Sequence, residues 1–350
     1  MGFMVHTLYT DNICDWFEMI PLSELNGRTV LITGATGMIC SCLVDFLLCW
    51  NAHGGNIKII VSSRKKDRLQ RRFGKETPLF QMVEWDAKEA LQIDILADYI
   101  VHGASNADPI NFAERPVDTL LANVLGTYEL LEYGQRCGMK RLLYISSGEM
   151  YGQPDPAMSD FVETYCGPVN YLSSRSCYPA GKRASESLCQ SYISQYGLDA
   201  VIVRPCHIFG PTMLQQDSRA VSEFFRNAVS GKNIVLKSAG FLERSHCYVV
   251  DAAAAILFVL LKGDRGGAYN IADPNYQMTI RSFAEAVAKA GRTRVVYEKP
   301  NEIETAGYSA VRRAVLDAAK LQALGWRPYD KEMSKIEMTV RILQDSKTSG

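Results

Sequence analysis

At 350 residues the chain is long enough to bury a sizeable core, as one large domain or two modest ones. Apolar residues make up 47% and charged residues 22%, as in an ordinary globular protein, and zero formal net charge gives no bulk pull toward nucleic acid or an anionic membrane. No apolar run reaches the length of a membrane span.

The opening MGFMVHTLYTDNICDW lacks the basic and apolar regions of an export signal, so a cytoplasmic protein is expected. Ten cysteines are scattered without a CxxC pair, and the five histidines lack metal-ligand spacing. Reduced, buried thiols and no metal are the reading.

Residues 1–28 form an N-terminal extension in which Trp16, Phe17, Met19 and Ile20 predict a short amphipathic helix ended by Pro21. Val30, Leu31 and Ile32 then run through Thr33 into Gly34-Ala-Thr-Gly37, followed by Met38, Ile39 and an apolar segment ending near Trp50. This predicts a buried strand, a tight glycine turn and a helix. Backbone N–H groups free at the helix start favour an anion, and a dinucleotide pyrophosphate is the natural guest. The third small position of a G-x-x-G-x-x-G pattern is Cys40, and a turn with no ligand would look much the same.

A second strand is predicted over 56–62, at whose end a carboxylate would select a free ribose 2′-hydroxyl. Ser62, Ser63 and Arg64 stand there instead. A hydroxyl and a guanidinium suit a 2′-phosphate, so NAD and NADP are both open. A third strand over 82–86 puts Asp86 where an adenine amino group would lie, and a fourth over 98–104 carries His102, read as a packing residue. The helix from Pro116 carries Asn123, Gly126 and Thr127. A fifth strand over 141–147 runs into GEMYG, and a sixth over 199–204 ends at RPCHIFGP.

Strands alternating with helices at this spacing predict an α/β fold with a doubly wound, Rossmann-like parallel sheet. Its ligands bind beyond the carboxyl ends of the strands. The alternation weakens from about Thr212. Residues 29–211 are therefore expected to form the dinucleotide-binding domain, and 212–350 a smaller substrate-binding lobe, with parts of 240–275 returning to the large domain.

Tyr178-Pro-Ala-Gly-Lys182 places a phenol and an ammonium on one face of a helix, provided Pro179 falls in its first turn. The lysine charge is expected to favour phenolate, lowering the tyrosine pKa toward neutrality and making Tyr178 a usable base. Together with the glycine turn and a strand ending in Ser146-Ser147-Gly148-Glu149, the pair carries the functional reading.

With these motifs in place the sequence resembles the extended short-chain dehydrogenase/reductases that act on nucleotide sugars. The resemblance runs from residue 28 to 345 through GATGMIC, HGAS, ANVLGT, ISSGEMYG, SCYPAGKRASE, RPCHIFGP, ERSHCYVVDAA, AYNIAD and LGWRP. Within that group RSCYPAGKR looks most like the UDP-glucuronate decarboxylases, with 4,6-dehydratases and 4-epimerases further away.

The resemblance implies a cofactor site of Gly34, Thr36, Gly37, Met38, Ile39, Ser63, Arg64, Asp86, Ala104, Ser105, Asn123 and Pro205, with Tyr178 and Lys182. It implies that Tyr178, assisted by Ser147, takes the proton of a sugar C4 hydroxyl while C4 gives hydride to the nicotinamide. Glu149 beside C5 suits decarboxylation or dehydration. Dehydratases of the group carry Asp where this chain has Gly148, and the decarboxylases usually carry Ser. Arg219 and Arg244 match positions that grip the diphosphate. His207 stands where asparagine is usual, and Thr212 where many members carry arginine. A homodimer is implied as well. A reading of another class, a cofactor-binding regulatory protein without catalysis, is motivated by Cys40, Gly148, His207 and Thr212 and opposed by the intact Tyr178, Lys182 and Glu149.

Overall fold

The computed structural model describes residues 6–155, 157–299 and 311–348. Strands β1 (Thr29–Thr33), β2 (Lys58–Ser63), β3 (Phe80–Glu84), β4 (Tyr99–His102), β5 (Arg141–Ile145) and β6 (Ala200–Pro205) make a parallel sheet in the order β3-β2-β1-β4-β5-β6. The expected doubly wound sheet is therefore present.

Period-two alternation sends Val30, Ile32, Ile59, Val61, Val101, Leu143, Val201 and Val203 to one face and Leu31, Ile60, Ile100, Leu142, Tyr144 and Ile202 to the other. The second face is covered by α5 (Pro116–Cys137) and α6 (Cys177–Tyr196), which pack on each other. Helix α2 (Met38–Ala52) covers the first, and α3 (Lys66–Phe73) and α4 (Pro109–Glu114) are short connections. Each fully buried side chain such as Phe46 contributes about 1.5–3 kcal/mol, and truncating it to alanine would cost about 3–5 kcal/mol.

Beyond β6, strand β7 (His207–Phe209) leads to α7 (Ala220–Val229), β8 (Ile234–Leu236) and β9 (Glu243–Tyr248). The chain then returns. Helix α8 (Val249–Lys262) packs beside α2, and β10 (Ala268–Ile271) joins β6 as the seventh parallel strand. A second sheet centres on β9, flanked by β7, β11 (Gln277–Thr279) and β13 (Arg313–Ala314), while β12 (Val295–Tyr297) pairs with β8. Helices α9 (Ile280–Ala290), α10 (Ala319–Ala323) and α11 (Lys335–Thr348) complete the chain. Buried Lys335 fastens α11 to Asp273 at 2.7 Å and to Asp251 at 2.5 Å.

The N-terminal extension corrects one expectation. Its helix, α1, spans Thr7–Cys14, and Trp16 to Ile20 form successive turns instead. The aromatic residues are anchors and not a helical stripe. Trp16 stacks on Trp326 at 6.3 Å and Phe17 meets Trp50 edge-on at 5.3 Å. The Tyr9 hydroxyl donates to buried Asp45 at 2.8 Å, and Arg72 neutralises that carboxylate. Among the described residues no helix is long and apolar enough to cross a membrane.

Candidate active site

The chain leaves β1 through Gly34, whose φ of 68° lies in the left-handed region. A Cβ there would also stand 2.8 Å from the Ala104 backbone, so both conformation and space demand glycine. The Gly37 N–H donates to Gly34 O at 2.9 Å, and α2 then opens at Met38 and Ile39 with no side chain capping its N-terminus. Cys40 faces Gly103, where an added Cβ would lie 2.3 Å from Sγ. The close helix–strand approach that a third glycine would permit is provided here by the residue across the contact.

The hydroxyls of Ser62, Ser105 and Ser146 are buried without a partner among the described residues, at the carboxyl ends of β2, β4 and β5. Three unsatisfied hydroxyls beside an uncapped helix start fit an anionic, hydrogen-bonding guest such as a dinucleotide. His102 has Nδ1 2.8 Å from Thr33 Oγ1, and burial holds its pKa down to about 3, so it packs as a neutral ring.

The other expected cofactor residues divide. Ala104 donates its N–H to Thr33 Oγ1 at 3.3 Å beside the turn, and Asp86 is half-buried and accepts the Lys88 N–H. Ser63 uses its hydroxyl on the Lys65 backbone, and Arg64 is exposed. Asn123 lies within the α5–α6 contact, donating to Thr119 O at 2.7 Å and accepting the Tyr144 hydroxyl at 3.4 Å. Pro205 ends β6 with its carbonyl beside Gly148.

Tyr178 and Lys182 start α6, and Pro179 falls in the first turn, where its missing N–H has no intrahelical acceptor to lose. The Ser147 side chain neighbours the Tyr178 hydroxyl and favours its ionisation. Lys182 donates from Nζ to Ile145 O at 2.8 Å and stands 5.6 Å from the centre of the Tyr178 ring.

The expected lowering of the tyrosine pKa is absent. Burial, reinforced by the Glu149 charge, pushes Tyr178 up to about 12, and burial brings Lys182 down to about 7. Both shifts share one origin, since each charged form has left water and the ammonium lies over the ring instead of at its hydroxyl.

Ser147 caps the short turn Gly148–Tyr151 by accepting the Glu149 N–H at 3.1 Å. The Glu149 carboxylate is exposed and accepts from Arg175 Nη2 at 2.9 Å. The Arg175 guanidinium covers Phe112 at 4.6 Å, and Phe112 stacks on Tyr178 at 4.5 Å. Arg175 and Phe112 were not foreseen. Arg175 lay within RSCYPAGKR as an unexplained charge three residues before Tyr178, whereas nothing in the sequence brings α4 to α6.

Arg219 is held by both Asp217 oxygens and bears on Tyr178, favouring its ionisation. Buried Arg244 donates to the carbonyls of Glu243, Val311 and Arg312, with Glu149 as the carboxylate whose field it feels. His207 is exposed beside His246, with ring centres 5.8 Å apart. Thr212 Oγ1 donates to Met38 O at 2.9 Å, fastening the segment after β7 to the first turn of α2. A Cβ on Gly148 would lie 3.2 Å from Leu316 Cδ1, so a side chain at 148 would require Leu316 to shift by a few tenths of an ångström.

The NAD dependent epimerase/dehydratase family model matches residues 30–272. The chain belongs to this family. UDP-glucuronic acid decarboxylase 6 of Arabidopsis thaliana is 34% identical over 306 residues, 86% of this chain and 84% of the relative. UDP-glucuronic acid decarboxylase 1 of Xenopus tropicalis is 31% identical over 310 residues, 88% of this chain and 70% of the relative. Among solved structures, UDP-glucose 4-epimerase of Thermus thermophilus in complex with NAD superposes with a TM-score of 0.70 at 25% identity, covering 90% of this chain and 99% of that one. The dTDP-glucose 4,6-dehydratase of Streptomyces venezuelae, solved with NAD bound, gives a TM-score of 0.76 at 24% identity, covering 92% and 98%. Of the two cofactors left open by Ser63 and Arg64, NAD is the one that the epimerase/dehydratase family uses.

Proposed function

We propose that this member of the epimerase/dehydratase family is a nucleotide-sugar decarboxylase acting on UDP-glucuronate. The observation that carries this reading is Glu149, held by Arg175 beside the Tyr178–Ser147 pair and preceded by a glycine that supplies no acid.

Tyr178 and Ser147 take the proton of the sugar C4 hydroxyl, with Arg219 favouring the phenolate. Tyr178 acts as base only when Lys182 carries its proton and turns from the Ile145 carbonyl toward the phenol. Gly34, Thr36, Gly37, Met38 and Ile39 would hold NAD, which would supply a reversible hydride acceptor for C4. A 4-ketone makes the C6 carboxylate a β-keto acid. Carbon dioxide then leaves with the bonding electrons moving into the ketone, and a proton restores C5. Arg244, which feels the Glu149 carboxylate, is the diphosphate partner in this reading.

The test is incubation of the NAD-loaded protein with UDP-glucuronate, read by mass spectrometry. Loss of carbon dioxide to give a UDP-pentose supports the reading. A product of unchanged mass means epimerisation, loss of water means dehydration, and no turnover favours a binding protein.

We further infer a large cofactor domain over 29–211, a substrate lobe from 212, and a homodimer formed through α5 and α6. Val117, Leu120, Leu121 and Tyr128 are exposed on α5 at helical spacing, and such an apolar stripe suits pairing with a second copy.

A further inference from the structure

We propose that Cys14, Cys49 and His53 form a zinc site that fastens the N-terminal helix to the large domain. The three residues come from two elements far from Tyr178. Cys14 is the last residue of α1, Cys49 lies in the last turn of α2, and His53 follows as that helix's C-cap. Sequence spacing shows no metal motif, because Cys14 is 35 residues from Cys49. Folding brings the three together.

The geometry suits a tetrahedral ion. Zinc takes thiolate at about 2.3 Å and imidazole at about 2.0–2.1 Å, which sets two sulfurs about 3.8 Å apart and a sulfur and nitrogen about 3.5 Å apart. Here Cys14 Sγ and Cys49 Sγ are 3.6 Å apart, and Cys14 Sγ is 4.0 Å from His53 Nε2. One ligand atom from each residue lies within 4.8 Å of the others. Cys49 and His53 are four apart, so α2 presents both on one face.

The histidine tautomer is set as well. His53 Nδ1 donates to Cys49 O at 2.8 Å, which leaves the Nε2 lone pair for a metal, the arrangement a backbone carbonyl imposes on a ligating imidazole. Phe17 packs edge-on against the ring at 5.5 Å and restrains it. Two thiols and an imidazole select zinc over magnesium or calcium. His53 is exposed, so water has access to the fourth position, and exposed Asp11 stands one turn before Cys14 on α1. The open end of α2 that holds the dinucleotide is at the other terminus of this helix, so the ion is structural.

The experiment uses the reduced full-length protein with NAD present, loaded with zinc, passed through a desalting column and assayed for metal by mass spectrometry. The wild type is expected to retain about one zinc per chain, and cobalt in its place to give thiolate-to-metal charge-transfer absorption. Exposed His53→Gln is expected to lower zinc affinity at least about tenfold, and half-buried Cys14→Ser to lower it likewise and to weaken the charge-transfer band by about half or more, since one of two thiolates is lost. Exposed Cys166→Ser is expected to bind as the wild type does. Zinc should also raise the unfolding temperature of the wild type but not of His53→Gln. Failure of the reduced wild type to retain zinc overturns the proposal, as does binding equal to the wild type's by His53→Gln and Cys14→Ser.

Discussion

Replacing Lys182 by methionine should make the ligand-free protein more stable while removing its activity. Lys182 is 2% exposed, and burial brings its pKa from 10.5 to about 7. That span, at about 1.36 kcal/mol per pH unit, corresponds to about 4–5 kcal/mol that the buried ammonium costs at pH values below 7. Methionine fills a similar volume but leaves the Ile145 carbonyl without its donor, a loss of about 1–3 kcal/mol. The net expected gain is about 1–4 kcal/mol.

The sign with pH follows from proton counts. Between about 7 and 10.5 the unfolded lysine holds a proton that the folded one has released, so wild-type stability rises with pH across that window. The advantage of Lys182→Met should therefore be largest below pH 7 and shrink toward pH 10.5. Urea titrations of both proteins without NAD, from pH 6 upward, measure it. A stability difference that is constant with pH, or a destabilised variant at neutral pH, would refute the account of a buried, charged lysine.

Other substitutions probe the rest of the site. Tyr178→Phe should lower kcat by about 10²-fold or more while NAD binding by fluorescence is unchanged. Gly103→Ala should destabilise by about 1–3 kcal/mol because its Cβ meets Cys40 Sγ, and Cys40→Ala in the same chain should recover most of that loss in a denaturation experiment. Arg175→Gln breaks an exposed ion pair, so stability should stay within about 1 kcal/mol of wild type while kcat/KM for UDP-glucuronate falls by about tenfold or more. The inferred pairing through α5 predicts a dimer mass for the wild type by light scattering and a monomer mass for Leu121→Glu on the exposed face of that helix.

Local signals made much of the fold legible. Apolar runs followed by Gly34-Ala-Thr-Gly37 specify a strand, a left-handed turn and a helix because only glycine tolerates both the φ of Gly34 and its approach to Ala104. The i, i+4 spacing of Tyr178 and Lys182 likewise required nothing beyond helical geometry. The N-terminal helix was misplaced for the opposite reason. Trp16, Phe17 and Ile20 have helical spacing, but each is held by a different partner, among them Trp326 and Trp50, which no local pattern announces.

Thus the amino-acid sequence by itself determined the doubly wound fold, and it singled out Tyr178, Lys182, Ser147 and Glu149 as a candidate group, because those depend on period, turn chemistry and spacing along the chain. Tertiary structure alone decided the charge states and neighbours of that group. Burial of Tyr178 and Lys182 reversed the expected direction of the tyrosine shift, since desolvation depends on everything packed around a side chain. The same holds for Arg175 over Phe112, Leu316 against Gly148 and the meeting of Cys14 with Cys49 and His53. Each joins residues distant in sequence, and their contact exists only once the elements between them have packed.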